Sequence, residues 1–533
     1  MPAPKAASVA AALTAAALTL SSPPSPALGS TAPPASSRAA AGFSRAAADS
    51  PAAYRAAAAN SAATSRAAAD FSRATADSPA IYRAAANSAA TSRIAADSPG
   101  SSRATVATSP AARPGVSPAA MRLARETLPA DDGWAAAGTG TSGGAAADDA
   151  HVAVARNRTE LIAALGGNAT TNGQNAVPKI VFVSGRIDLG ADPTGAKLSC
   201  ADYADPEYSL DAFLAAYDPA VWGRDKKPTG PLEDARVRSA KRQGDQIRVN
   251  VGSNTTIIGI NGGRLVHGSL VLTNVSNVIV RNLEVTDAAD CFPAWDPTDG
   301  TTGNWNSLYD LVALSGSTNV WLDHNTFSDG NNHDSDQPLQ FGRPYQVHDG
   351  ATDFIRRSDL ITVSYNDYYD HDKTMLIGST DTPGVDLGKL RTTVHHNRFG
   401  NVLQRAPRVR FGQVDVYDNL YVATDEAYSY SLGVGVESSI YAENNYFRLS
   451  ADVPAAHIVK YWKGTRITAR GSLVQVSGRL PRPVDLVATY NEAYDPDLLP
   501  DAGWTPTLRT RLDPAWAVPL IVSATAGARR LLR

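Results

Sequence analysis

Seven short β-branched runs, each closed by asparagine, constrain this chain more than any other feature. They are NTTIIGIN (residues 254–261), NVIVRN (277–282), NVWLDHN (319–325), DLITVSYN (359–366), LRTTVHHN (390–397), QVDVYDN (413–419) and SSIYAENN (438–445). Their terminal residues are Asn261, Asn282, Asn325, Asn366, Asn397, Asn419 and Asn445, which lie 21, 43, 41, 31, 22 and 26 residues apart. A repeat of about 20–25 residues with one strand per repeat is what a solenoid requires. The longer gaps are turns that carry inserted loops, or two turns. Asparagine tolerates left-handed backbone at tight bends, and stacked asparagine amides can hydrogen-bond from turn to turn. The pattern predicts an all-β fold, a single-stranded parallel β-helix with an Asn ladder and long loops on one face. A β-propeller or β-sandwich would not require Asn at one register in every run.

The chain divides by composition. Residues 1–29 read as a signal peptide: Lys5 supplies a positive start, residues 6–20 are apolar, and Pro23, Pro24 and Pro26 break the run. That run is too short for a membrane span, which needs about 20 apolar residues, and no later stretch is a candidate span. Residues 30–149 read as a disordered Ala/Ser/Pro-rich tail. It contains two near-copies, at 43–70 and 71–97, that carry few large apolar groups and are interrupted by Ser-Pro. The glycine-rich GTGTSGG at 138–144 marks its end. Residues 150–533 read as the β-helix domain. TELIAAL at 159–165 predicts a helix, with Thr159 as its N-cap, that closes the open end of the coil. The two cysteines, Cys200 and Cys291, are permitted to form a disulfide in an exported chain.

A net charge of −3 supplies no footprint for nucleic acid. Any anion would have to meet a local basic cluster. Lys373, Arg405, Arg408 and Arg410 form one, with three arginines in the six residues of RAPRVR. Asp310, Asp349 and Asp353 lie in neighbouring repeats, the last two four apart across Gly350. Hard cations such as Ca²⁺ want several oxygen ligands of this kind. Guanidinium forks bind carboxylates well. Together they suggest a polyanion bridged by cations on one side and clamped by Arg and Lys on the other. His324, His371, His395 and His396 read as core or ladder residues. Trp295, Trp305, Tyr309 and Trp321 read as packing.

In these residues the chain resembles the pectate lyase family, extracellular enzymes built on a right-handed parallel β-helix. The matching stretches are DCFPAWDPTDG (290–300), GNWNSLYD (303–310), VWLDHNTFSDG (320–330), YQVHDGATD (345–353), DHDKTMLIGS (370–379), VHHNRF (394–399) and QRAPRVRFGQV (404–414). The resemblance runs from about residue 151 to the C-terminus. It implies that Asp310, Asp349 and Asp353 bind Ca²⁺ and that Arg405 abstracts the proton. It further implies that Lys373 and Arg410 hold substrate carboxylates. The implied protein is a secreted monomer acting on polygalacturonate by β-elimination at alkaline pH.

Elimination suits these groups. The C5 proton of a galacturonate is weakly acidic, and positive charge at its carboxylate stabilises the carbanion. Arginine is an unusual base, since its ordinary pKa is about 12.5–13.8. The expectation is that neighbouring cations disfavour its charged form; Lys373 is the alternative base. A β-helix hydrolase, a lyase of methyl-esterified pectin and a non-catalytic wall-binding β-helix are the competing readings.

Overall fold

The computed structural model describes residues 115–509 and 511–532. The expected signal peptide and the two Ala-rich copies lie outside those residues. From residue 152 the chain winds into a right-handed parallel β-helix, the handedness that parallel crossovers take almost without exception.

Each run forms a strand that pairs in parallel with the run one turn away. Thr318–Asp323 lies between Ser276–Arg281 and Asp359–Ser364, and Thr392–His395, Gln413–Tyr417 and Ser439–Glu443 follow. The gaps of 41 and 43 residues are therefore single turns with long insertions. Register stacks like on like: Val280, Leu322, Val363, Val394, Val416 and Ala442 form one column, all fully buried. Burying each large aliphatic side chain contributes about 1.5–3 kcal/mol, repeated at every turn. A second column stacks Phe327, Tyr368, Phe399, Tyr421 and Phe447 with ring centroids 4.5–5.1 Å apart.

The asparagine ladder is present and shorter than the sequence pattern suggests. Nδ2 of Asn325, Asn366, Asn397 and Asn419 donates to Oδ1 of the next asparagine at 3.0 Å, ending at Asn445. Asn282 lies one residue out of this register. Its neighbour Leu283 holds the ladder position, and the Leu283 N–H donates to Asn325. Asn282 instead takes the left-handed corner conformation, as His324, Tyr365, His396, Asp418 and Asn444 do in later turns. Asn261 is exposed and bonded to Ser184.

Residues 115–149, expected to belong to the tail, are instead folded. Helix α1 (Pro118–Ala124) and the segment behind it pack along the coil. Ser142 and Gly143 N–H groups both donate to Asn277 Oδ1 at 2.7 Å, and Gly144 N–H donates to Thr256. Trp134 and Ala135 N–H groups reach Thr393 and Thr362. Small residues that resemble linker composition are here what lets backbone lie on a sheet. A Cβ at Gly144 would fall 2.0 Å from the Lys179 carbonyl, and one at Gly133 2.6 Å from Thr362 Oγ1.

Helix α2 (Arg158–Leu165) buries Leu161 and Leu165 against the first turn, as predicted, but Asn157 rather than Thr159 caps it. Asn157 has extended backbone, and its side chain accepts from Glu160 N–H, which is what a cap requires. Helix α3 (Pro231–Ile247) follows, and Cys200–Cys291 joins this region to the loop after Asp290 as a disulfide. Among the described residues, no helix is long and apolar enough to cross a membrane.

One strip of parallel strands matters for function. Its strands are β1 (Arg248–Asn250), β2 (Ser269–Thr273), β3 (Val312–Ser315), β4 (Thr352–Ile355), β5 (Leu376–Ile377), β6 (Arg408–Val409), β7 (Leu432–Gly435) and β8 (Val459–Trp462).

Candidate active site

The acidic trio assembles where β3 and β4 begin. Leu311 N–H bonds Gly350 O across the turn, which sets Asp310 beside the 349–353 segment. Gly350 N–H donates to Asp310 Oδ1 at 2.9 Å. The glycine is required by space: a Cβ there would stand 2.4 Å from Asp353 Oδ1 and 2.8 Å from Asp310 Oδ1. Asp353 is 6% exposed and accepts Leu376 N–H at 2.9 Å. Burial first, and the Asp349 charge second, push Asp353 up to about 7. Burial and the charges of Asp353 and Asp349 raise Asp310 well above the usual carboxylate range. These acids lack sufficient positive company of their own. The donor set is all carboxylate, with no His or Cys, which fits a hard cation such as Ca²⁺ rather than Zn²⁺.

The loop that carries Asp349 is pinned from behind. Asp334 Oδ1 accepts Val347 and His348 N–H groups, and the His348 ring bridges Asp287 and Asp334. Burial lowers the His348 pKa, but Asp329, Asp287 and Asp334 outweigh it and raise it to about 10. Among the described residues, Asp329–Asp334–His348 and His396–Asp418–Asp513 bring three potential ligand atoms within 4.8 Å of one another. The acidic trio is more open than either. In both tight groups imidazole–carboxylate hydrogen bonds account for the close approach.

Lys373 ends the strand Asp367–Lys373 and pairs with Gln404 of the next turn. Its Nζ lies 3.4 Å from Asp349 Oδ1, with the side chain 7% exposed. Arg405 follows Gln404 with φ 61°, a left-handed conformation uncommon for residues other than glycine. Its carbonyl accepts Met375 N–H, and its Nε is buried without a hydrogen-bond partner. Burial favours the neutral guanidine at Arg405. The charges of Tyr430, Asp353, Asp349 and Asp372 outweigh burial and raise its pKa. The expectation of an environment that disfavours the charged form is thus corrected: with these carboxylates ionised, Arg405 is held protonated.

Arg410 closes the motif on the far side of β6. Its Nε donates to Asp381 Oδ1 at 2.6 Å and its Nη1 to Gly378 O at 2.8 Å. The structure therefore gathers Asp310, Asp349, Asp353, Lys373 and Arg405, and holds Arg410 beside them on a partner the sequence reading did not name. Also unforeseen is Asp372, which accepts from Gln346 and Gln404 and braces the strands under Arg405. The local DHDK string holds its only signal. His371, His324, His395 and His396 are all ring-stacked or bonded to aspartates.

A parallel β-helix with carboxylates and guanidiniums on one strip is the setting for the comparisons with known proteins. Residues 232–497 match the family described as pectate lyase. The pectate lyase of Bacillus subtilis (strain 168) is 43% identical over 427 residues, spanning 78% of this chain and 97% of that protein. Pectate lyase D of Dickeya chrysanthemi is 35% identical over 387 residues, spanning 70% of this chain and 85% of that protein. Among solved structures, a thermostable pectate lyase superposes with a TM-score of 0.75 at 47% identity, covering 77% of this chain and all of that one. A pectate lyase bound to a hexasaccharide gives 0.72 at 42% identity, with 77% and 100% covered. Fold and likeness define a parallel β-helix enzyme of the lyase class. The chain belongs to the pectate lyase family.

Proposed function

We propose that this enzyme is exported and cleaves polygalacturonate by Ca²⁺-dependent β-elimination, leaving 4,5-unsaturated oligogalacturonates. The reading is carried by Asp310 and Asp353 flanking a glycine that no other residue could replace, with Lys373 against Asp349 and Arg405 one turn on.

Asp310, Asp349 and Asp353 would hold the cation. Ca²⁺ bound there supplies positive charge at a uronate carboxylate and makes the adjacent C5 proton more acidic. Lys373 adds a fixed charge at that carboxylate, and Arg410 offers a planar fork to it. Arg405, as neutral guanidine, accepts the C5 proton. The C5–H electrons become the C4–C5 double bond, and the C4 oxygen leaves with its electron pair and takes a proton from solvent. Neutralising the acidic trio removes part of the charge that keeps Arg405 protonated, while its burial, which favours the neutral form, remains.

The Cys200–Cys291 disulfide supports export, because such bonds persist in oxidising compartments. The test is incubation with polygalacturonate while following the ultraviolet absorbance of the unsaturated product. Absorbance should rise with Ca²⁺ and stop with a chelator. A saturated product formed without Ca²⁺ would establish a hydrolase instead.

A further inference from the structure

Away from the strip that carries the acidic trio, one corner of the coil gathers histidine and aspartate under the C-terminal segment. His396 and Asp418 take the left-handed corner position in successive turns, just before the ladder residues Asn397 and Asn419. Asp513 lies across them. Its N–H donates to Asp418 Oδ2 at 2.7 Å, and its carbonyl accepts from Asn444 Nδ2 at 2.9 Å. His396 Nε2 stands 3.2 Å from Asp513 Oδ2 and 3.7 Å from Asp418 Oδ2, with all three side chains buried. Arg511 holds the other Asp513 oxygen.

The hydrogen bond between His396 and Asp513 needs a proton on Nε2, and the neighbouring ring restricts where protons can sit. His395 and His396 meet through their Nδ1 atoms at 2.8 Å, so one Nδ1 carries a hydrogen and the other does not. A neutral imidazole has one ring proton, so the ring that donates presents a bare Nε2. His395 Nε2 lies 3.3 Å from Asp132 Oδ1, and His396 Nε2 faces Asp513. Whichever ring donates, one bare nitrogen meets a carboxylate. A third proton or a cation removes that repulsion. A third proton leaves Asp418 Oδ1 as it is, fully buried and without a hydrogen-bond partner. A cation at His396 Nε2 meets both carboxylates. The His396 Nδ1 proton then goes to His395, and the His395 Nε2 proton to Asp132.

We propose that His396, Asp418 and Asp513 form a divalent-cation site, separate from the acidic trio, that takes an ion of the zinc class and clamps the C-terminal segment to the corner of the coil. Ligand atoms about 2.0–2.2 Å from one ion stand roughly 3–3.5 Å apart, close to the 3.2 and 3.7 Å between His396 Nε2 and the two carboxylates. One imidazole with two carboxylates suits Zn²⁺, whereas the all-carboxylate trio suits Ca²⁺. The two donor sets therefore sort the two ions.

The test is Zn²⁺ binding by the full chain, stripped with a chelator and then held in saturating Ca²⁺. One Zn²⁺ per chain should bind and raise the melting temperature, and X-ray absorption should show one imidazole among oxygen neighbours. Asp418→Asn should weaken binding at least about 100-fold, beyond the usual cost of losing a partner outside the ligand set. Asp349→Asn and Asp334→Asn should bind Zn²⁺ as the wild type does. If Asp418→Asn does not fold, the absorption spectrum of the wild type decides: Zn²⁺ with no imidazole neighbour overturns the proposal. So does Zn²⁺ binding that Asp349→Asn or Asp334→Asn abolishes. A wild type that takes up no Zn²⁺ also overturns it, and leaves the histidine pair sharing a third proton.

Discussion

Asp381 restrains Arg410: the carboxylate takes Arg410 Nε on one oxygen and Lys463 Nζ on the other, at 2.6 and 2.7 Å. An arginine proposed to hold substrate is thereby occupied by the protein itself. Asp381→Asn should free it, and KM for polygalacturonate should fall by about two- to fivefold, the range of a half-exposed ion pair. Steady-state kinetics at low ionic strength measure this. An unchanged KM would mean that Arg410 does not reach the polymer.

Arg405→Lys should lower kcat by about 10²–10³ or more while oligogalacturonate binding persists. Absorbance of the unsaturated product and calorimetry separate the two quantities. Lysine keeps a charge near the trio but loses the guanidine nitrogens. If Arg405→Lys stays active and Lys373→Ala is inactive, the base has been misassigned. Activity should peak at alkaline pH in the wild type.

Chelation should abolish turnover, and Ca²⁺ should restore it where Zn²⁺ does not, since every donor of the trio is a carboxylate oxygen. Asp349→Asn should raise the Ca²⁺ concentration needed for half-maximal rate without loss of fold. Circular dichroism and a Ca²⁺ titration of the rate check both halves.

Lys179 gives the stability a defined pH dependence. It is 1% exposed, and burial lowers it to about 8 from an ordinary 10.5. Between those values the unfolded chain binds the proton and the folded chain does not, so this residue makes stability increase as pH rises through that window. Below about 8 both states are charged and its contribution is flat. Melting temperatures from pH 7 to 10 should rise more steeply, or fall less, in the wild type than in Lys179→Met. Parallel curves would remove Lys179 as the cause.

Asn397→Ala should cost roughly 3 kcal/mol in denaturant unfolding, because it leaves the buried Asn366 backbone N–H without its acceptor and removes one of two bonds each from the Asn366 side-chain amide and Asn419 Oδ1. Asn261→Ala, outside the ladder, should cost little.

The repeat was legible because one strand per turn imposes one asparagine per turn, visible without coordinates. Its exact register was not. The left-handed corner and the ladder position are adjacent and both favour asparagine, so Asn282 could be read into either. The acidic trio and Arg405 were legible through their motif strings. Asp381 was not, because it sits 29 residues before Arg410 in an insertion with no period of its own. Residues 115–149 were misread for a plain reason. Glycine and alanine are chosen both by chain that touches nothing and by chain that must press against a sheet, and composition alone does not separate the two.

That pressed segment has a practical consequence. An enzyme shortened to begin at residue 150 would uncover Ile279 and Trp321, which now lie under Leu128 and Ala135, and would strip Asn277 of both its amide donors. A recombinant version cut at the apparent domain edge should therefore aggregate where one that keeps residues 115–149 stays in solution.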